Sequence, residues 1–164
     1  MSETEHGYTP AVTASAMPPA MARYLDGTDL LAKTQALRLS TVDATGWPHA
    51  ALLSAGDAVV LPSGQIRFAV FAQSTIVANL ERDGRLTLAL SLDGGMCELR
   101  LRARRLAETA AKGPLALFEA EIESVRTHVA PYAVLTSGVT FALHEPGGVL
   151  PRWRRQIAEL RAAT

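Results

Sequence analysis

Apolar and polar positions alternate through much of the chain, and alternation marks half-buried strands. Leu37, Leu39 and Thr41 alternate with Arg38, Ser40 and Val42. "DATGWP" then supplies turn residues, and "HAALLS" resumes the strand, which predicts a β-hairpin. "DAVVLPSGQIRFAVFA" repeats that form, with a "PSG" turn and with Ile66, Phe68 and Val70 on one face. "RLTLALSLDGGMCELRLRARRLAE" predicts two more strands around "DGG". In the second of them Leu99, Leu101 and Ala103 face one way, and Glu98, Arg100, Arg102 and Arg104 the other. "VTFALH" predicts a last strand on Val139, Phe141 and Leu143.

Elsewhere the apolar spacing lengthens to three and four residues, the period of a helix. "PPAMARYLDGTDLLAKTQ" opens on prolines suited to a first turn. It predicts a helix broken near Gly27, with Met21, Tyr24 and Leu25 in its first piece. "STIVANLERDG" predicts a short helix on Ile76, Val77 and Leu80, stopped by Gly84 at C′. "GPLALFEAEIESVRTHV" spaces Leu115, Phe118, Ile122, Val125 and Val129 as a helix would. "VLPRWRRQIAELRAA" closes the chain as a helix on Leu150, Trp153, Ile157 and Leu160. Residues 1–18 lack periodicity and read as a mobile arm, leaving 19–164 as a single domain. Six or more short antiparallel strands with hairpin turns suggest a small barrel, its ends covered by the helices.

Composition narrows the function classes. The 164 residues are 48% hydrophobic but only 5% aromatic, so the core is aliphatic. A formal net charge of zero argues against nucleic acid or a membrane surface as partner. Cys97 is the single cysteine, which leaves no intrachain disulfide and no cysteine zinc site. The four histidines show no ligand spacing, so no metal is expected. The polar start "MSETEHGYTP" is unlike a secretion signal, and the expected compartment is the cytoplasm.

The candidate chemistry gathers at "FAVFAQSTIVANLERDG". There a strand runs into a helix through Ser74 and Thr75, and free N–H groups at a helix start form an anion site. Ser74 either caps the helix or, with Thr75, meets a ligand phosphate. Asn79 stands one turn on, either exposed or within reach of the same ligand. The row Arg100, Arg102 and Arg104 is either a solvated face paired with glutamates or a second anion site. Trp153, among Arg152, Arg154 and Arg155, is either a packing anchor or an aromatic lid. His49 opens a strand and carries no demanded acid–base role.

The order of elements over about residues 30–145 resembles the pyridoxamine 5′-phosphate oxidase-like FMN-binding split barrels. "LSTVDATGWPHAALLS" is similar to that family's opening hairpin, and "IRFAVFAQSTIVANLERDGRLTLAL" to its strand, serine-led turn, helix and next strand. The resemblance implies an α+β fold on a six-stranded antiparallel split β-barrel with flanking helices, with FMN at a homodimer interface and an oxidoreductase activity on a small organic substrate. It places the cofactor near Phe71, Ala72, Ser74, Thr75 and Asn79, along the strand of His49 and Ala51, and within range of Arg100 and Trp153. It names no catalytic residue, since a flavin carries the hydride chemistry itself. The chain departs from the oxidase at the phosphate, where Ser-Arg-Lys becomes Ser74-Thr75-Ile76. Ala51 stands for an arginine, and Met96 or Cys97 for a glutamine. A non-catalytic or non-FMN split barrel that holds another anionic ligand, haem or a different flavin, is the alternative. A structural dimeric module is a third.

Overall fold

The computed structural model describes residues 8–107 and 113–164, so the first seven residues of the expected arm lie outside them. The hairpins fall where alternation places them. β2 (Leu37–Val42) pairs antiparallel with β3 (Pro48–Leu53), and β4 (Ala58–Val60) with β5 (Ile66–Phe71). β6 (Arg85–Leu92) and β7 (Gly95–Arg105) meet at Asp93-Gly94, where both residues take positive φ, as a tight two-residue hairpin turn requires. Short β1 (Val12–Ala14), within the expected arm, pairs with β8 (Leu115–His128). The sheet order is β3-β2-β6-β7-β8-β5-β4, curled into a split barrel of eight strands against the six expected.

The surplus comes largely from residues expected to be helical. Leu115–His128 is β8, the longest strand, hydrogen-bonded to β7 on one side and to β5 and β1 on the other. Its inward residues keep period two through Ala116, Phe118, Ala120 and Ile122. Arg100 then opposes Ser124 while Leu101 opposes Ile122, so Glu123 is an extra residue in a β-bulge. The bulge shifts parity, and the next core residue is Val125, three positions on. That step, with Leu115 and Leu117 half-buried on the other face, imitates helical spacing. The expected strand at Val139–His144 is also corrected. It is irregular and joins the sheet only through a bridge from Thr140 to Gln35.

Three helices flank the sheet. α1 (Pro19–Tyr24) is one short helix, and the residues after Gly27 form turns rather than a second helical piece. α2 (Thr75–Arg82) buries Ile76, Val77 and Leu80 against the barrel. Gly84 does not terminate α2 in a left-handed conformation. A Cβ there would lie 2.5 Å from the carbonyl oxygen of Ala103, so glycine is needed for close approach to β7. α3 (Pro146–Ala162) packs Trp153, Ile157 and Leu160 on Val59 and Ala69 of β4 and β5. Those two strands are therefore covered on both faces. The barrel interior is filled by Leu37, Leu39, Leu88, Leu99 and the stacked rings of Phe68 and Phe118, 5.5 Å apart. Burying each such side chain contributes about 1.5–3 kcal/mol. No helix among the described residues is long and apolar enough to cross a membrane.

Two polar contacts tie the helices to the sheet. Asn79 is buried, neither exposed nor turned to a ligand, and donates from Nδ2 to Thr41 Oγ1 of β2 at 2.9 Å. Arg67 of β5 donates from Nε to Glu119 Oε2 of β8 at 2.8 Å. Its other arm reaches the last carbonyls of α3, at Leu160, Arg161 and Ala163. Burial raises the Glu119 carboxyl, but hydrogen bonds from Arg67 and Arg104 outweigh it and hold the group below the usual carboxylate range.

Asn79→Ala leaves the Thr41 hydroxyl buried without its donor and is expected to lower unfolding stability by about 1–3 kcal/mol, read by urea titration. Asn79→Leu with Thr41→Val removes both partners and recovers part of that loss. Because the folded Glu119 pKa is depressed, its contribution is present above the unfolded value of about 4.3 and disappears as pH falls through the folded one. The stability difference between the native chain and Glu119→Gln, measured by denaturant titration, is expected to be flat above about pH 5 and to shrink below about pH 4.

Candidate functional site

A cavity of about 1050 Å³ opens between β3, the β5–α2 junction, the start of β8 and α3. Its floor is apolar, with Leu53, Ala69 and Leu115 among the lining residues. One wall is the turn into α2. The chain leaves β5 at Phe71, tightens through a bond from Ser74 N–H to the Phe71 carbonyl, and enters the helix at Thr75. Ser74 occupies the N-cap position but its side chain does not cap. Its Oγ is buried and has no hydrogen-bond partner, although the residue lines the cavity. A buried hydroxyl without a partner costs about 1–3 kcal/mol. The N–H groups of Thr75 and Ile76 begin the helix and have no intrahelical acceptor. Among the described residues, these three donors at one helix start have no protein acceptor.

The opposite limit is set by α3. Trp153 is 4% exposed and stands edge-on to Phe141, ring centres 6.2 Å apart. It lies on the backbone of Gly56, where a Cβ would come within 2.2 Å of the indole. Gln156 donates to the Gly56 carbonyl at 3.0 Å and to Asp57 Oδ1 at 2.8 Å. Asp57 also accepts from the Ser54 N–H and hydroxyl. These bonds fix the face of α3 that borders the cavity. Arg105, at the end of β7, lines it as well and pairs with Glu81 of α2 at 2.6 Å.

Of the residues singled out from sequence, Ala51, Phe71, Ser74 and Trp153 line this cavity together. Trp153 is both the packing anchor and part of the wall. Thr75 and Ala72 flank Ser74 and are absent from the lining. His49 is half-buried on β3 opposite Thr41 and does not border the cavity. Asn79 faces the core. Arg100 stands outside the lining, 3.5 Å from Glu98. Its neighbours Arg102 and Arg104 pair with Glu123 and Glu119 of β8 at 2.7 Å each. The arginines form a solvated face met by carboxylates; the exposed Arg102–Glu123 pair is worth about 0–1 kcal/mol, while Arg104 reaches the buried Glu119. Sequence reasoning missed Arg105, whose partner Glu81 lies on α2, and Asp57 and Gln156, whose mutual bond forms only when α3 docks.

Other features stay structural. Cys97 is buried, and burial pushes its thiol up, away from reactivity. Met96, beside it, is exposed at the hairpin. A smaller cavity of about 320 Å³ is lined by Tyr24, Gln35 and Ser91. There the Gln35 amide is consumed by the Ser91 backbone, donating at 2.9 Å and accepting at 2.7 Å. Among the described residues, no group of three or more His, Cys, Asp or Glu is placed to hold a metal.

No family model matches the sequence. The chain is 34% identical over 152 residues to the uncharacterized protein YclD of Bacillus subtilis (strain 168), covering 92% of this chain and 99% of that one. Among solved structures it is similar to a candidate pyridoxamine 5′-phosphate oxidase of Lactobacillus delbrueckii, with TM-score 0.54 and 17% identity over 71% of this chain and 98% of that one. It is also similar to the H111A variant of HupZ from Group A Streptococcus, with TM-score 0.50 and 17% identity over 61% and 94%. The chain belongs to the family of Bacillus subtilis YclD, and its fold is the split barrel of the pyridoxamine 5′-phosphate oxidase-like proteins.

Proposed function

We propose that this protein binds FMN in the large cavity and serves as a flavin-dependent oxidoreductase for a small organic substrate. The observation that carries the reading is the Ser74 hydroxyl, buried and without a partner at the start of α2. A phosphate at the cavity edge would accept from the N–H of Ile76 and, after a turn of the Ser74 side chain toward the cavity, from its Oγ, and the positive end of the helix dipole would favour its charge. The cations of the oxidase turn are replaced by Thr75 and Ile76, but Arg105 brings a guanidinium to the same cavity. The residues present therefore fit a phosphate-bearing flavin. The volume and the apolar floor suit a planar ring with few polar contacts. When bound, FMN supplies the hydride chemistry, and the chain supplies position, exclusion of water and hydrogen bonds.

Haem or another anionic ligand is the competing occupant. None of the described side chains that line the cavity is His, Cys, Met or Tyr, so this chain offers no ordinary iron ligand there, and the lining favours flavin. Phe71 and Leu52 border the cavity while 66% and 56% exposed. A second copy of the chain, arranged as a homodimer, would cover these apolar side chains and close the site over the ring.

The purified protein is expected to show flavin absorption, or to quench FMN fluorescence on titration. Ser74→Ala removes a hydrogen bond to a charged group, worth about 1.5–3 kcal/mol, and is expected to weaken FMN binding about tenfold to a hundredfold. Riboflavin, which lacks the phosphate, is expected to bind the variant and the native chain alike. Equal loss for both ligands would remove Ser74 from the phosphate, and absence of any flavin uptake would overturn the reading.

A further inference from the structure

The charges around the large cavity are unevenly satisfied. Arg105 is taken by Glu81, and Asp57 by Ser54 and Gln156. Arg152 and Arg155 of α3 also line the cavity and are exposed. Among the described residues neither has a carboxylate within 4.0 Å, and Glu159, on the same wall, has no cation within that distance. Helical residues three, four and seven apart share one stripe. Arg152, Arg155, Gln156 and Glu159 therefore run in line down the cavity wall, two cations first, then an amide, then a carboxylate. Two guanidinium groups one turn apart repel unless an anion lies between them. The stripe is held still by its neighbours: Trp153 seated on Gly56, Gln156 bonded to Gly56 and Asp57, and Arg67 bonded to the end of α3. These contacts fix the backbone from which Arg152 and Arg155 project, so binding has to order only their exposed side chains.

We infer that the α3 stripe is the substrate subsite and selects a small anionic molecule. Its phosphate or carboxylate group is held by Arg152 and Arg155, and a hydroxyl or ammonium donor at its other end meets Glu159. This rests on reading the same cavity as a flavin site, with the cofactor phosphate kept at α2 and the substrate anion at α3.

The test compares the native chain with Arg152→Gln/Arg155→Gln, which keeps good helix formers on α3. Inorganic phosphate and succinate are titrated calorimetrically at low ionic strength into FMN-loaded protein, and FMN and riboflavin are titrated into apoprotein. The double variant is expected to bind the anion probe about tenfold or more weakly, as loss of charge-assisted bonds implies, while FMN affinity stays within about twofold. Arg154→Gln, outside the lining, is expected to bind the probe as the native chain does, which separates the stripe from net charge. Preference for phosphate identifies a phosphate ester as substrate, and preference for succinate a carboxylate. The proposal falls if the double variant binds both probes as well as the native chain, or if the native chain binds neither. It falls equally if the double variant loses FMN but keeps riboflavin, because the arginines then serve the cofactor phosphate. If neither protein takes up FMN, the flavin reading fails alone, and the same probe titrations on apoprotein decide the stripe.

Discussion

The place of the cavity depends on one buried ion pair. Arg67 and Glu119 face each other in register across β5 and β8, with side chains only 13% and 7% exposed. A buried pair of this kind adds little net stability against apolar replacements, but removing one partner is costly. What it contributes is position. The Arg67 guanidinium is shared between the carboxylate and three terminal carbonyls of α3, where a cation also suits the negative end of the helix dipole. The last turn of α3 is thereby pinned to β5 and β8. Trp153 and Gln156 then register the rest of that helix against Gly56 and Asp57. The far wall of the cavity is a consequence of contacts made on the sheet.

The near wall is fixed by equally few contacts. α2 is only eight residues long, too short to be stable on its own. Ile76, Val77 and Leu80 hold it to the barrel, and the Asn79–Thr41 bond sets its rotation. With that face committed to the core, its first N–H groups and the Ser74 hydroxyl are left at the cavity edge. An N-cap serine ordinarily uses its own oxygen on the helix. Here it does not, and the burial of Oγ prevents water from satisfying it instead. An unsatisfied buried donor next to a large cavity is a place where binding recovers energy that folding gave up.

The hairpins were legible because their turns and their period of two agree, and α3 because its apolar stripe is unbroken. β8 was not legible, for a reason specific to it. Its core residues keep period two on either side of Glu123, but the bulge there changes which parity faces inward. A reader of spacing alone sees the sum of two registers and takes it for a helix. The segment after β8 failed differently. Val139, Phe141 and Leu143 alternate as a strand does, but only Thr140 finds a sheet partner, and Phe141 turns to Trp153. The arginine row could be placed on one face from sequence, but not its partners. Those carboxylates come chiefly from β8, whose strand character was hidden. Ser74 was visible as a cap candidate, whereas its lack of a partner is a fact of three-dimensional packing.

Charge distribution gives the fold its particular character within the split barrels. The turn into α2 carries Thr75 and Ile76 and no cation, while the described lining of the cavity has three arginines, Arg105, Arg152 and Arg155. A cation beside the α2 start reinforces a site that the backbone already builds. A cation on α3 stands on a separate element, fixed by Arg67, Trp153 and Gln156, and can address a different group. The two walls thus divide two tasks. On the proposed reading, backbone donors with one hydroxyl would hold an anion at α2, while the arginines present charge at α3. That division requires both walls to be rigid relative to each other, which the Arg67–Glu119 pair and the Asn79–Thr41 bond together supply.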